Sequence, residues 1–414
     1  MPNARQRRAR RETKPNKYFA EGGFDIPFLI IVLVLLTIGL VMLFSSSYTY
    51  AYYNKGDSMY FFKRQMIFAL MGLVALFVVS KIKYEYFKPL AVILMPISYL
   101  LLIIVLFVSP PPGFEDFRRW ITIPGITTFQ PSEVAKLALV LFLAWNIDKN
   151  YKAINSRELS TAKFAIGFNQ NRNSRIKIRR STNYAFLYML IVGSMCALVF
   201  LENHISGTVL MFMLGIIMIF LGGFNKKWFV IATIAVAIVG TIVILKPDIL
   251  PGHASVRIDA WLDKDFDPMG KRWQTNQALY AIGSGGFFGV GLGNSKQKHL
   301  YVSEPQNDFI FSIVCEELGF IGATVIIILF ILLVWRGFVI AMRAKDRFGA
   351  LLAMGLVFQI GLQAALNIAV VTDTIPNTGI SLPFFSYGGT SLLMLLTEMG
   401  MVLAISRYSR ISKS

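Results

Sequence analysis

The sequence predicts an all-α integral membrane protein with ten transmembrane helices and a large extracellular loop between the seventh and eighth. Three observations carry this. Of 414 residues, 55% are apolar and only 15% are charged, against about 25% charged in soluble domains. The apolar residues gather into blocks long enough to cross a ~30 Å hydrocarbon core as helices. The formal charge of +18 is concentrated in short segments between those blocks, as Lys and Arg are distributed when they orient a membrane protein.

The spans are read at roughly 27–47, 61–80, 88–108, 131–147, 183–201, 205–222, 228–245, 309–335, 347–371 and 384–406, the fourth being the least apolar. The first follows a basic stretch but has no short apolar region ending in a small-residue cleavage site, so it reads as a retained span. The organisation expected is a basic tail over 1–26, a membrane domain over 27–408 and a short tail over 409–414.

Orientation follows from the basic residues. Residues 1–26 hold seven (Arg5, Arg7, Arg8, Arg10, Arg11, Lys14 and Lys17) against three acids, and residues 148–182 hold nine against two. With the other even-numbered loops and the C-terminal tail, these segments total about +21, and the rest of the chain is near −3. Both termini are therefore expected in the cytoplasm, with the protein in the cytoplasmic membrane. The basic runs read as topology signals and anionic-lipid contacts. Without aromatic-basic interleaving or a known module, they do not indicate nucleic-acid binding. Cys196 and Cys315 both lie in apolar blocks, so a disulfide framework or thiol metal site is excluded. The three histidines are scattered.

Function is expected on the outer face, where three loops fall at 109–130, 246–308 and 372–383. The 246–308 loop carries seven bases and seven acids. Ionisable residues within spans are costly and are candidates by default. Glu133 and Lys136 share a helix face at i,i+3, either as a structural pair or facing a substrate. Glu202 and His204 lie between the fifth and sixth spans; Glu316, Glu317 and Glu398 read mainly as structural. Arg118 and Arg119, beside Trp120, suit a phosphate at headgroup level or simple interfacial anchoring. Pro131 suits the first turn of a helix.

Residues 283–293 include six glycines in eleven positions. Such a run can bring backbone N–H groups to a phosphate, or it can form a close-packed turn. It follows no strand of a βαβ unit, so it is neither a Walker nor a dinucleotide motif. Asp308 stands at the start of the eighth span, where a carboxylate can cap a helix or, partly desolvated, act as a general base on a hydroxyl. The stretch Pro376–Gly389 mixes helix breakers with aromatics and reads as a broken helix entry.

In combination these motifs resemble the SEDS family (shape, elongation, division and sporulation), which includes FtsW, RodA and SpoVE. The resemblance covers about residues 25–408. It rests on Arg-Arg-Trp-Ile at 118–121, Phe-Gln-Pro-Ser-Glu-x-Ala-Lys at 129–136, the Gly-rich run, Glu-Pro-Gln-Asn-Asp-Phe-Ile-Phe at 304–311, Glu-Glu-Leu-Gly at 316–319 and Pro-Phe-Phe-Ser-Tyr-Gly-Gly at 383–389. It implies a peptidoglycan glycosyltransferase that polymerises lipid II and works with a class B penicillin-binding protein and other division proteins. It also implies that Asp308 is the catalytic residue. Arg118, Arg119, Gln130, Glu133 and Lys136 are implied to line the substrate cavity, with Glu304 as a loop contact. A divalent cation, Mg or Mn, is a candidate cofactor, and no nucleotide is expected. The stretch Gly291-Leu292-Gly293-Asn294-Ser295 is closer to FtsW and SpoVE than to RodA, so the division branch is favoured.

One position departs from the family pattern. The family usually reads Leu-Glu-x-Asp-x-Gly-Thr where this chain has Leu201-Glu202-Asn203-His204-Ile205-Ser206-Gly207-Thr208. His204 stands where the family has an aspartate, which removes or reverses a local charge. The rival functions are a lipid II flippase or carrier, an elongation polymerase like RodA, and a non-catalytic scaffold for a penicillin-binding protein. The absence of a convincing inverted repeat argues against a carrier.

Overall fold

A computed structural model describes residues 23–110, 118–123, 127–154, 159–161, 177–224, 226–249, 253–265, 267–270 and 272–408. Most of the N-terminal tail, much of the basic 148–182 loop and the last six residues lie outside this set.

A helix lies at each of the ten expected places: α1 (Ile26–Lys55), α2 (Tyr60–Lys81), α3 (Phe87–Phe107), α4 (Pro131–Ile154), α5 (Arg180–Leu201), α6 (Ile205–Leu221), α7 (Lys226–Leu245), α10 (Ile310–Met342), α11 (Arg347–Val371) and α12 (Gly389–Ser406). Two further helices, α8 (His253–Leu262) and α9 (Trp273–Gly285), belong to the large loop. Among the described residues, seven segments are long and apolar enough to cross a membrane: α1, α2, Tyr84–Phe107, Tyr184–Leu201, α10, α11 and α12; α6 is a shorter apolar helix. The described structure also has two short antiparallel strand pairs, β1 (Ile121–Ile123) with β2 (Thr127–Phe129) and β3 (Leu159–Thr161) with β4 (Lys177–Arg179), and short 3-10 turns at Tyr84–Tyr86 and Pro247–Ile249.

Local chemistry sets the helix ends. Asp25 caps α1, accepting from the Phe28 N–H at 3.0 Å. Gly56 ends the same helix at φ 70°, its N–H bonded to the Tyr52 carbonyl at 3.0 Å, a left-handed cap that suits glycine. Tertiary pairs fix the ends opposite the large loop. Arg336 pairs with Asp25 at 2.8 Å, and Lys88 reaches Asp346 and Asp148 at 3.3 and 3.6 Å.

Helix α4 runs through the centre of the bundle, packed by α3, α5, α6, α11 and α12. Ala135, Ala138, Leu139, Val140, Leu141, Leu143 and Ala144 along it are fully buried. This explains its modest hydropathy. A helix sheathed by other helices need not be apolar all round, and it can carry Glu133 and Lys136 because protein rather than lipid surrounds them. Helices α2 and α12 pack closely at Gly400, where an added methyl would lie 2.7 Å from the Leu76 carbonyl oxygen. Small residues permit such approaches in membrane bundles.

Helix α10 breaks at Gly319, which takes φ 68°. The Gly-rich turn docks onto this break. The N–H groups of Val290 and Gly291 donate to the carbonyls of Glu316 and Glu317 at 2.9 and 3.1 Å. In return, those of Phe320 and Ile321 donate to Gly286 and Phe287 at 2.9 and 3.2 Å. Gly289, at φ 78°, has no room for a side chain, since a methyl there would fall 2.2 Å from the Glu317 carbonyl oxygen. The glycines therefore serve close backbone packing.

Candidate functional site

The loop closes into α10 through residues 304–308, and contacts from three other elements shape this turn. Glu304 takes φ 50°. Its carboxylate accepts from Asn307 Nδ2 at 2.9 Å and from the Tyr50 hydroxyl of α1 at 3.5 Å. The Tyr387 N–H donates to the Gln306 carbonyl at 2.8 Å, and the Ser386 hydroxyl to the Asn307 carbonyl at 2.8 Å. Asn367 of α11, fully buried, donates to the carbonyls of both Asp308 and Ile380, at 2.7 and 2.6 Å.

Asp308 is therefore fixed through its backbone, and its carboxylate is left for chemistry. It does not cap α10: the residue before that helix is Phe309, and no side chain caps it. The carboxylate faces Gly379, where a methyl would lie 3.0 Å from Oδ2. Burial pushes its pKa up to about 6; Arg119 and Arg257 oppose the rise and Glu304 adds to it. A carboxylate near 6 is mostly ionised at neutral pH yet basic enough to accept a proton during reaction.

Two cations from separate elements act on this acid electrostatically. Arg119 precedes β1 and is nearly buried. It donates to the Asn203 carbonyl at the α5–α6 turn. Burial, then Arg257, lower its pKa to about 10, with Asp308 and Glu202 opposing, so it stays charged at neutral pH. Arg257, on α8, is also lowered by burial and raised by Asp308.

Behind Arg119 lies the turn that carries the family departure. Glu202 is fully buried, and its carboxyl oxygens accept no hydrogen bond among the described residues. Burial raises its pKa to about 8, against the pull of Arg119, so it is mostly neutral at pH 7. His204 is held well below its usual range by burial, then by Arg119 and Lys136, and is a neutral ring. Its Nδ1 lies 3.4 Å from Gln130 Nε2, which also donates to the Ser132 hydroxyl at 3.0 Å. The turn that would carry two acids in the family pattern thus holds a mostly neutral acid and a neutral imidazole.

Glu133 and Lys136 form a close pair at 2.9 Å. Lys136 also donates to Gln363 Oε1 at 3.2 Å, and Gln363 Nε2 bonds the Ser381 carbonyl and hydroxyl at 3.1 Å. The pair therefore connects α4 to α11 and to the 372–383 loop. Arg118 goes elsewhere: it is exposed, and it donates to the Leu106 carbonyl at the end of α3, at 2.8 Å. Of the two arginines, only Arg119 is brought to Asp308.

Glu316 and Glu317 hold the large loop in place. Glu317 pairs with Lys298 at 2.9 Å and accepts from the Ser45 hydroxyl at 2.7 Å. Glu316 accepts from the Lys296 N–H at 2.8 Å and from the Ser295 hydroxyl at 2.5 Å. Glu398 accepts from Gln359 Nε2 at 3.3 Å. Sequence reasoning missed Arg257 and Asn367. Arg257 was one base among seven in a neutral loop. Asn367 carried a signal, a lone amide within an apolar span, but nothing in its spacing tied it to Asp308.

The comparisons with known proteins agree with this architecture. The family model FTSW_RODA_SPOVE, described as cell cycle protein, matches residues 27–411. Stage V sporulation protein E of Bacillus subtilis (strain 168) is 40% identical over 389 residues, 93% of this chain and 98% of that protein. The probable peptidoglycan glycosyltransferase FtsW of Trichlorobacter lovleyi is 37% identical over 391 residues, 94% and 95% of the two chains. A chain solved under the description "Structural coordination of polymerization and crosslinking by a peptidoglycan synthase complex" superposes with TM-score 0.70 at 25% identity, covering 93% of this chain and 98% of that one. The rod shape determining protein RodA of Thermus thermophilus shares the fold, with TM-score 0.64 at 24% identity over 94% and 98% of the chains. A match over almost the whole membrane domain, with relatives at 40% and 37% identity, places this chain in the FtsW/RodA/SpoVE family.

Proposed function

We propose that this protein is a peptidoglycan glycosyltransferase that polymerises lipid II into glycan strands at the outer face of the cytoplasmic membrane, in septal synthesis during cell division. The observation that carries the proposal is Asp308, in the loop that enters α10 and backbone-bound by Asn367, with its carboxylate raised to about 6 by burial against the pull of Arg119 and Arg257. Both termini lie in the cytoplasm in this reading, supported by the basic charge of the even-numbered loops.

Asp308 takes the proton from the acceptor sugar hydroxyl. The hydroxyl oxygen attacks the anomeric carbon of the donor from the side opposite its pyrophosphate, and the bond from that carbon to the pyrophosphate oxygen breaks. The α-linked donor becomes a β-linked unit, and undecaprenyl pyrophosphate departs carrying the electron pair. Arg119 and Arg257 stabilise the negative charge that builds on it. Lys136 is held 2.9 Å from Glu133, so this pair adds little net charge to the site.

Among the described residues, no group of three or more His, Cys, Asp or Glu side chains forms a metal site. If a divalent cation, Mg or Mn, enters with the substrate, Glu304 would be the residue to hold it. It would supply further charge neutralisation on the leaving group. The partner in this reading is a class B penicillin-binding protein that cross-links the product, within a larger set of division proteins. The likeness to a chain of a peptidoglycan synthase complex supports it.

The test uses purified protein, labelled lipid II and the Asp308→Asn variant, with and without the partner. Wild type should form glycan chains, and the variant should lose at least about 100-fold in rate while keeping its folded elution profile. Full polymerisation by the variant would overturn the role of Asp308. Dye-accessible lipid II without chains would mean a flippase, and neither outcome from wild type would mean a scaffold.

A further inference from the structure

Between the charged parts of the large loop lies a stretch of different character. Trp273 to Gly293 has no Asp, Glu, Lys, Arg or His in 21 residues. Helix α9 occupies its first half and packs on α10, and the Gly-rich turn follows.

The level of this turn can be measured along α10. Near the far end of that helix, Arg336 pairs with Asp25, whose own N–H donates to the Ser406 hydroxyl at 3.0 Å. This polar ring, where α1, α10 and α12 meet, marks one edge of the hydrocarbon. The break at Gly319 lies seventeen residues back, about 26 Å of helix against a core of about 30 Å. The turn docks at Glu316–Ile321, so it sits at the opposite edge and just inside it.

Its side chains point outward. Phe288 is 83% exposed, Phe287 70% and Leu292 55%. They continue the exposed apolar face of α10, where Phe320, Ile321, Ile328 and Ile331 lie uncovered. Phe287 and Phe320 meet edge to face with ring centroids 5.9 Å apart. Irregular backbone is ordinarily excluded from hydrocarbon by its unpaired polar groups. Here, four backbone bonds to α10 satisfy much of that demand on the protein side.

We propose that Trp273–Gly293 dips into the membrane from the loop side and lays Phe287 and Phe288 against the acyl chains of that leaflet. Continuity with the exposed face of α10 selects lipid as the occupant. The dip has a consequence for the site. The following residues, Ser295 to Lys298, are bonded to Glu316 and Glu317, so membrane insertion fixes the start of the segment that ends at Asp308. A lipid-linked substrate then meets a carboxylate held at a set height above the bilayer.

The test places a nitroxide label at Phe288→Cys in the full-length protein, in vesicles of phosphatidylcholine and phosphatidylglycerol. Cys196 and Cys315 are buried, and unsubstituted protein gives the labelling background. Collisions with oxygen, which concentrates in hydrocarbon, are compared with collisions with a water-soluble nickel chelate. The Phe288 label should favour oxygen at least about threefold, like Ile328→Cys on the lipid face of α10. Met269→Cys, 80% exposed in the charged part of the loop, should favour nickel. Nickel access at Phe288 equal to that at Met269 would overturn the proposal, as would a label reached by neither reagent, which would mean that protein covers the turn. Phe287→Cys is read by the same criteria if Phe288→Cys yields no folded protein.

Discussion

The side-chain amide of Asn367 donates to the carbonyl of Asp308 at 2.7 Å and to that of Ile380 at 2.6 Å. A fully buried amide near the end of α11 thus joins the turn that carries Asp308 to the 372–383 loop. That loop in turn places Gly379 against Asp308 Oδ2. The reactive oxygen is confined on one side by backbone that no side chain occupies.

This predicts two separable losses. Asn367→Ala removes both bonds and leaves buried carbonyls unpaired, a cost of about 1–3 kcal/mol each. It should lower kcat by roughly 10- to 100-fold and reduce thermal stability in detergent. Gly379→Ala should lower kcat with little change in KM, because the methyl crowds Oδ2 and the φ of 71° strains any L residue. Steady-state kinetics with melting curves check both. An Asn367→Ala variant with wild-type kcat would show that the clasp does not position the acid.

The rate should depend on pH through Asp308. A general base must be ionised, so kcat/KM should climb about tenfold per pH unit below about 6 and level off above it. Arg119 holds this pKa down and Glu304 holds it up. Arg119→Gln should therefore move the acid limb to higher pH, and Glu304→Gln should move it lower. Opposite shifts in residual activity are the signature to seek. A limb that stays in place in both variants would remove Asp308 as its source.

At the α5–α6 turn, His204 is neutral beside two cations, Arg119 and Lys136. An acid there gains attraction from both, whereas a further cation is repelled. His204→Asp should fold with equal or greater thermal stability and keep activity within a few-fold. His204→Lys should lose folded protein. Size-exclusion yield and melting temperature distinguish the two, and equal behaviour would show that charge at this position does not matter.

Lys298 and Glu317 form a buried pair. Removing one member strands the other, at a cost of about 3–5 kcal/mol. Lys298→Ala should sharply lower the melting temperature, and Lys298→Met combined with Glu317→Gln should recover much of it. If the double variant were no better than the single, the pair would not be the source of the loss.

Much of this molecule could be read directly from the chain. Each block that became a helix is marked by length and hydropathy, because a bilayer demands about 20 apolar residues per crossing. Pro131 sits in the first turn of α4 as expected, since its effect acts within one turn. Asp308 was visible as an acid at a membrane boundary. The sequence also left real choices open. The Gly-rich run suited either a phosphate loop or a packed turn, and the structure shows it packed on α10.

What the sequence determined by itself is where the membrane helices lie and how unevenly charge is distributed; several ends were left to the structure, α1 running to Lys55 rather than 47 and α10 to Met342 rather than 335. Only the tertiary structure decided which of two adjacent arginines reaches Asp308. Arg118 and Arg119 are the same residue type in the same motif, yet one bonds to the end of α3 and the other to the α5–α6 turn. It also decided that Arg257, Glu304, Gly379 and Asn367 meet around one carboxylate. Apart from Glu304, these residues lie far from Asp308 in the chain, and the electrostatics of an acid depend on distance in space.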